Sequence, residues 1–189
     1  MLSSSSIEGS IMNVVVITSS HHRAGTSALL ADRFCAGAAE AGHSVRRFDM
    51  AFEKVGFCLA CDVCGCGERP CVQHDAMEAL YPAVEAADLI AFVTPIYYYS
   101  YSGRLKCVID RFYAIDSILE GSDKSGVLLA TCADTTSESL VNCSASYESL
   151  LSYMGWKDAG QVLASGCSKR SDAENSEYPQ AAYELGASI

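Results

Sequence analysis

The apolar run Val14-Val15-Val16-Ile17 stops abruptly at Thr18, and a helical pattern begins at Thr26. Consecutive β-branched residues with no polar alternation suit a strand covered on both faces, as in a parallel sheet. Parallel neighbours cannot be joined by a tight hairpin, so a crossover must carry the chain back. The same unit recurs. Residues 26–41 read as a helix, with Leu29, Leu30, Phe34 and Ala38 at helical spacing and Gly42 as its stop. Residues 44–49 alternate as a short strand. Residues 75–86 carry Met77, Leu80 and Val84 on a second helix, with a kink or break expected at Pro82. Residues 88–94 (DLIAFVT) form a strand, residues 103–118 a helix, and residues 126–132 (GVLLATC) another strand. A helix over 137–154 ends at Gly155. A weaker strand covers 161–164, and a last short helix covers 178–185 with Pro179 in its first turn.

Strands and helices thus alternate five times. This predicts an α/β fold: a doubly wound, five-stranded parallel sheet of order 2-1-3-4-5 with right-handed crossovers. In such a sheet the ligand sits at the carboxyl ends of strands one and three. Three loops converge there, at residues 18–25, 95–103 and 131–136. No repeat or linker divides residues 12–189, which read as a single domain. Residues 1–11 are Ser-rich without the basic start of a signal peptide, and read as a mobile leader.

The chain carries 23 Asp and Glu against 13 Lys and Arg, a net charge of -10. That argues against nucleic acid or an anionic membrane as a main partner. No apolar run approaches the ~18–20 residues of a membrane-spanning helix. These features point to a cytoplasmic protein. Its ten cysteines then read as thiols or metal ligands rather than a disulfide frame.

The first loop has no Gly-x-Gly-x-x-Gly and no Gly-Lys-Ser/Thr. What remains is a hydroxyl-rich turn before a helix N-terminus, where free N–H groups and the helix dipole favour an anion. Ser20, Thr26 and Ser27 offer hydroxyls to a monophosphate, and Gly25 permits close approach. The same loop also reads as a plain polar connection with a capping hydroxyl. The second loop, Pro95 followed by IYYYSYSG, places Pro95, Tyr97, Tyr98, Tyr99 and Tyr101 beside it. Such aromatics flank a planar ligand or build an interface.

Together these stretches resemble the flavodoxin-like NAD(P)H-dependent FMN reductase family, including its iron–sulfur flavoprotein branch. The family's first loop reads roughly Gly-Ser-x-Arg-x-x-Gly-Asn-Thr-x-x-Leu. Ser20, Gly25 and Ser27 fall on its Ser, Gly and Thr positions, while His22 stands at the Arg position and Thr26 at the Asn. A second signature, Pro-x-Tyr followed by Ser-Gly-x-Leu-Lys-x-x-x-Asp-Arg, matches Pro95, Tyr97, Ser102, Gly103, Leu105, Lys106, Asp110 and Arg111. A Cys-rich segment followed by Asp-x-Met matches residues 58–77. The resemblance implies bound FMN, its phosphate on Ser20, His22, Gly25, Thr26 and Ser27. The ring would lie between Pro95, Ile96, Tyr97 and Tyr98 on one side and Thr131, Cys132 and Ala133 on the other. Asp110 and Arg111 read as structural anchors.

Cys58-x-x-Cys61-x-x-Cys64, then Cys71, sets four thiols within residues 58–71, with Cys66 a fifth. Thiolate sets suit iron–sulfur clusters or zinc. The spacing resembles the compact cluster motif of iron–sulfur flavoproteins and implies a [4Fe–4S] cluster on Cys58, Cys61, Cys64 and Cys71. Zinc, a disulfide or simple packing are the alternatives. Cys35, Cys107, Cys132, Cys143 and Cys167 sit in or beside apolar elements and read as small core residues.

The expected function is FMN-dependent oxidoreduction with hydride from NAD(P)H. No residue of the chain is needed as nucleophile or acid–base catalyst, because the flavin carries the chemistry. A cluster would let the flavin exchange single electrons with a partner such as a ferredoxin. The resemblance also implies a homodimer or homotetramer. Two other readings are a non-enzymatic electron carrier and a zinc or interaction module with a vestigial flavin site.

Overall fold

The three central strands are buried and apolar on both faces, the two edge strands are partly exposed, and crossovers join them so that five strands lie parallel in one sheet. The computed structural model describes residues 10–189; the expected leader, apart from Ser10 and Ile11, lies outside them. The strands are β1 (Asn13–Thr18), β2 (Ser44–Asp49), β3 (Leu89–Tyr97), β4 (Ser100–Tyr101), β5 (Ser125–Thr131) and β6 (Lys157–Ala164). The order is β2-β1-β3-β5-β6, with β4 pairing antiparallel to β3. The expected order 2-1-3-4-5 holds for the parallel strands, and the two-residue β4 adds a sixth. The chain reverses direction across the sheet between β1 and β3, which pair in register from Val14↔Leu89 to Thr18↔Val93.

Helices α1 (Thr26–Glu40) and α7 (Tyr178–Ser188) cover one face; α2 (Met77–Ala86), α3 (Gly103–Arg111) and α5 (Glu138–Met154) cover the other. Short helices α4 (Asp116–Leu119) and α6 (Arg170–Glu174) lie in connections. Strand alternation sends Val14, Val16, Ala91 and Leu129 into the first layer and Val15, Ile17, Phe92 and Leu128 into the second. Helices α1 and α7 touch backbone to backbone. A Cβ on Gly37 would come within 2.1 Å of the Tyr183 carbonyl oxygen, and one on Gly186 within 2.2 Å of that of Phe34.

Several boundaries differ from expectation. Helix α2 runs unbroken through Pro82, which is exposed, so the carbonyl left without a donor can meet solvent. The helix expected over 103–118 stops at Arg111, whose carbonyl accepts the Tyr81 hydroxyl at 3.2 Å. A tight turn over Phe112–Ile115 follows and buries Phe112, Ala114 and Ile115. Strand β3 extends through Pro95 to Tyr97, and β6 begins at Lys157 despite its polar start. A register shift opposite Gly126 and Leu128 lets β6 carry an extra residue.

Arg111 fixes the segment between β2 and α2. Its side chain and that of Asp75 are 1% and 6% exposed, and Nη1 meets Asp75 Oδ2 at 2.8 Å. The same guanidinium donates to the carbonyls of Gly56 (3.1 Å) and Gln73 (3.5 Å). Asp75 also accepts the N–H groups of Gly56 and Met77. One ion pair therefore grips both ends of the Cys-rich segment.

Burial works to raise the Asp75 carboxyl, but Arg111 and the two N–H groups outweigh it and hold it below the usual carboxylate range. With a lowered folded-state value, this stabilisation is present at neutral pH and is lost as pH falls through the carboxylate range. Arg111→Ala leaves a buried carboxylate unpaired and is expected to cost about 3–5 kcal/mol, read by urea unfolding at pH 7. Asp75→Asn is expected to flatten the acid limb of the stability curve. An Arg111→Ala cost within the error of the wild-type measurement would refute this anchoring role.

Candidate functional site

The carboxyl ends of β1 and β3 are tied together by hydroxyls. Ser102 Oγ donates to Ser19 Oγ at 2.8 Å, and Ser19 Oγ donates to the Val93 carbonyl at 3.0 Å. Ser102 N–H donates to Thr94 Oγ1, and Ser102 Oγ in turn accepts the Leu105 N–H that opens α3. This buried chain sets the first and second loops against each other.

The first loop then turns tightly, with the Gly25 N–H donating to the His22 carbonyl at 2.9 Å. A Cβ at Gly25 would lie 2.9 Å from His22 Cβ, so the turn closes only around glycine. Among the described residues no side chain caps α1, and its first N–H groups open at the loop end. Beside them lies a cleft of about 490 Å³ lined in part by Ser20, His22, Gly25, Thr26, Pro95 and Tyr97. These six were expected at the ligand. Ser27 is buried instead and bonds Thr131 Oγ1 at 2.8 Å, while Thr26 Oγ1 donates to the same oxygen at 3.1 Å. Those contacts fasten α1 to β5. Cys132 is buried, its thiol raised by burial and donating to the Asp134 carbonyl at 3.4 Å, and Ala133 is exposed.

Ile96 is half-buried and pairs with Tyr101 across a hairpin whose two tip residues are Tyr98 and Tyr99. Both have left-handed backbone, φ 49° and 64°, as a twist-matched two-residue turn requires. Tyr98 is 99% exposed. A non-glycine residue held there stores about 1–2 kcal/mol.

The cleft has residues that sequence reasoning missed: Ser168 and Lys169, from the connection between β6 and α6, and Arg170, which opens α6. Their basic pair lies a few residues beyond the end of β6, a signal that acquires meaning only when β6 is placed beside β5. Arg23 also lines the cleft, stacked 3.6 Å over the Phe52 ring.

Cys58, Cys61, Cys64 and Cys71 line one small cavity together with Tyr113. Cys66 is not on its wall; its thiol donates to Asp116 Oδ2 at 3.2 Å, an oxygen that also accepts the Tyr153 hydroxyl at 2.8 Å. Left-handed backbone at Ala60, Asp62 and Cys66 curls the segment around the cavity. All ten cysteines are free thiols. Among the described residues, no three His, Cys, Asp or Glu side chains draw close enough together to be a preformed metal site. Of the remaining thiols, Cys143 is fully buried and pushed up to about 12, and Cys35 to about 11, both by burial. His43 ties the Met12 N–H to the backbone oxygen of Ile189, and His74 pairs with Glu78 at the surface.

The sequence of residues 12–166 matches the family of NADPH-dependent FMN reductases. The chain belongs to that family. An iron–sulfur flavoprotein of Methanocaldococcus jannaschii is 38% identical over 76 residues, 40% of this chain and 38% of that one. Another from Archaeoglobus fulgidus is 28% identical over 100 residues, 53% of this chain and 45% of that one. The matched stretches thus span less than half the length of these relatives. Among solved structures, an NAD(P)H:quinone oxidoreductase from Methanothermobacter marburgensis superposes with a TM-score of 0.71 at 18% identity, covering 94% of this chain and 96% of that one. An azoreductase from Bacillus anthracis gives 0.68 at 19%, covering 94% and 97%. These likenesses show the flavodoxin-like fold. Among the described residues, no helix is long and apolar enough to cross a membrane.

Tyr99→Gly relieves left-handed strain and is expected to raise stability by about 1 kcal/mol, seen as a higher urea midpoint at unchanged slope. A lower midpoint would mean that Tyr99 packing outweighs the backbone cost.

Proposed function

We propose that this chain is an FMN-dependent oxidoreductase that takes hydride from NAD(P)H and passes electrons on through a [4Fe–4S] cluster. The observation that carries the flavin part is the uncapped start of α1 opening beside a cleft at the β1/β3 ends. N–H groups that lack an internal partner hold a phosphate, and the glycine-only turn at Gly25 keeps room for it. The donor set fits FMN. Bound there, FMN supplies a two-electron acceptor for hydride.

In this reading the chain's residues bind and orient. Ser20, His22, Gly25 and Thr26 receive the phosphate, and Ser27 fixes α1 against Thr131. Pro95, Ile96, Tyr97 and Tyr98 border one edge of the ring, and Thr131, Cys132 and Ala133 border the other. Residues 12–189 act as one unit. The cavity wall of Cys58, Cys61, Cys64 and Cys71 fits a cluster in donor type and number, and such a cluster supplies one-electron exchange. Cys66 serves as a tether to Asp116 rather than as a ligand. A reduced cytoplasmic setting, a one-electron partner such as a ferredoxin, and a homodimer or homotetramer complete the picture.

The test is anaerobic mixing of the FMN-loaded chain with NADPH or NADH. Bleaching of the flavin absorbance by at least one nucleotide is expected; no bleaching by either overturns the reductase reading. For the cluster, Cys58→Ser, Cys61→Ser, Cys64→Ser and Cys71→Ser are each expected to lower iron content, whereas Cys66→Ser retains it. Equal iron loss in all five variants would contradict the assignment of Cys66.

A further inference from the structure

The cleft beside α1 is lined by basic side chains in a chain whose net charge is -10. The chain holds 23 acidic residues against 13 Lys and Arg, yet among the described residues no Asp or Glu lines this cleft. Arg23, Lys169 and Arg170 line it instead, with His21 and His22. Arg23 and Lys169 are exposed, and neither belongs to an ion pair among the described residues. Arg170 is held by Glu174, Nε to Oε1 at 2.6 Å. Arg23 and Lys169 thus share the wall of one hollow with the partly neutralised Arg170, and a bound anion offsets the like charge gathered there. Two of the three cations, Lys169 and Arg170, lie beyond residue 166, where the family match ends.

We propose that Lys169 and Arg170 form a subsite for a phosphate monoester dianion, facing the first loop across the cleft. The inference rests on the flavin reading above. Its ligand is either the 5′-phosphate of FMN or the 2′-phosphate of NADPH, since both carry the same dianion. The backbone supports the placement. The Lys169 N–H donates to Asp172 Oδ2 at 2.7 Å, which anchors the turn, while the Lys169 ammonium is exposed and has no ion-pair partner among the described residues. The Asp172 carboxylate is spent on the backbone and does not line the cleft.

The experiment compares wild type, Lys169→Ala, Arg170→Ala and Lys169→Arg as full chains freed of flavin. FMN and riboflavin are titrated by quenching of flavin fluorescence, and KM is measured for NADPH and NADH after FMN reloading. If the subsite holds the flavin phosphate, the Kd for FMN rises about tenfold in Lys169→Ala, riboflavin affinity is unchanged, and Lys169→Arg restores FMN binding. If it holds the nucleotide phosphate, FMN affinity is unchanged and KM rises for NADPH but not for NADH. Unchanged constants for all four ligands, or equal losses for FMN and riboflavin, overturn the proposal while leaving the flavin reading intact. A wild-type chain that binds neither flavin overturns the flavin reading, and the subsite with it.

Discussion

The buried pair of Arg111 and Asp75 is the contact on which the arrangement of this molecule depends. A guanidinium and a carboxylate removed from water are costly unless every donor and acceptor is used, and here nearly all are. Arg111 reaches the carbonyls of Gly56 and Gln73, and Asp75 accepts the N–H groups of Gly56 and Met77. The pair thereby joins the start and end of the Cys-rich segment to α3 and to the first turn of α2. Without it, residues 56–75 would be a long excursion between β2 and α2 whose large apolar side chains, Phe57, Leu59, Val63 and Val72, are exposed rather than packed in a core. With it, four thiols are brought to one cavity and Cys66 is turned away toward Asp116.

The sheet does the equivalent task for the cleft. Reversal of strand order between β1 and β3 leaves a gap above their carboxyl ends. The hydroxyl chain through Ser19, Ser102 and Thr94 sets the loops around that gap without exposing a buried polar group. Helix α1 then presents its uncapped start there, and the connection after β6 brings in basic side chains. The two sites thus have different supports: backbone topology for the cleft, and one ion pair for the thiol cavity.

Much of this was legible from sequence because the central strands β1, β3 and β5 are buried on both faces. Apolar runs such as VVVIT and DLIAFVT, each followed by helical periodicity, specify strand order through the rules of parallel crossover. Strand β6 was harder, since an edge strand starting with Lys157 and Asp158 carries a weaker apolar signal. The break after Arg111 was hidden because Phe112 and Ile115 continue the helical spacing although the chain tightens there to bury them. In the cleft, the first loop was readable from its hydroxyls and glycine. The inward turn of Ser27 toward Thr131 was not, because it depends on how α1 packs against β5. Lys169 and Arg170 were invisible for a related reason: their importance comes from a neighbour more than a hundred residues away in sequence.

The central claim is that one chain houses a flavin at the β1/β3 edge and an iron–sulfur cluster in the thiol cavity. The most direct measurement is the visible spectrum of anaerobically purified, unmodified protein, with FMN, iron and acid-labile sulfide determined per chain. The account predicts flavin absorbance over a broad cluster background, with one FMN and about four irons per chain. Flavin without iron, or zinc in place of iron, would contradict the cluster; a colourless protein that takes up no FMN would contradict the account as a whole.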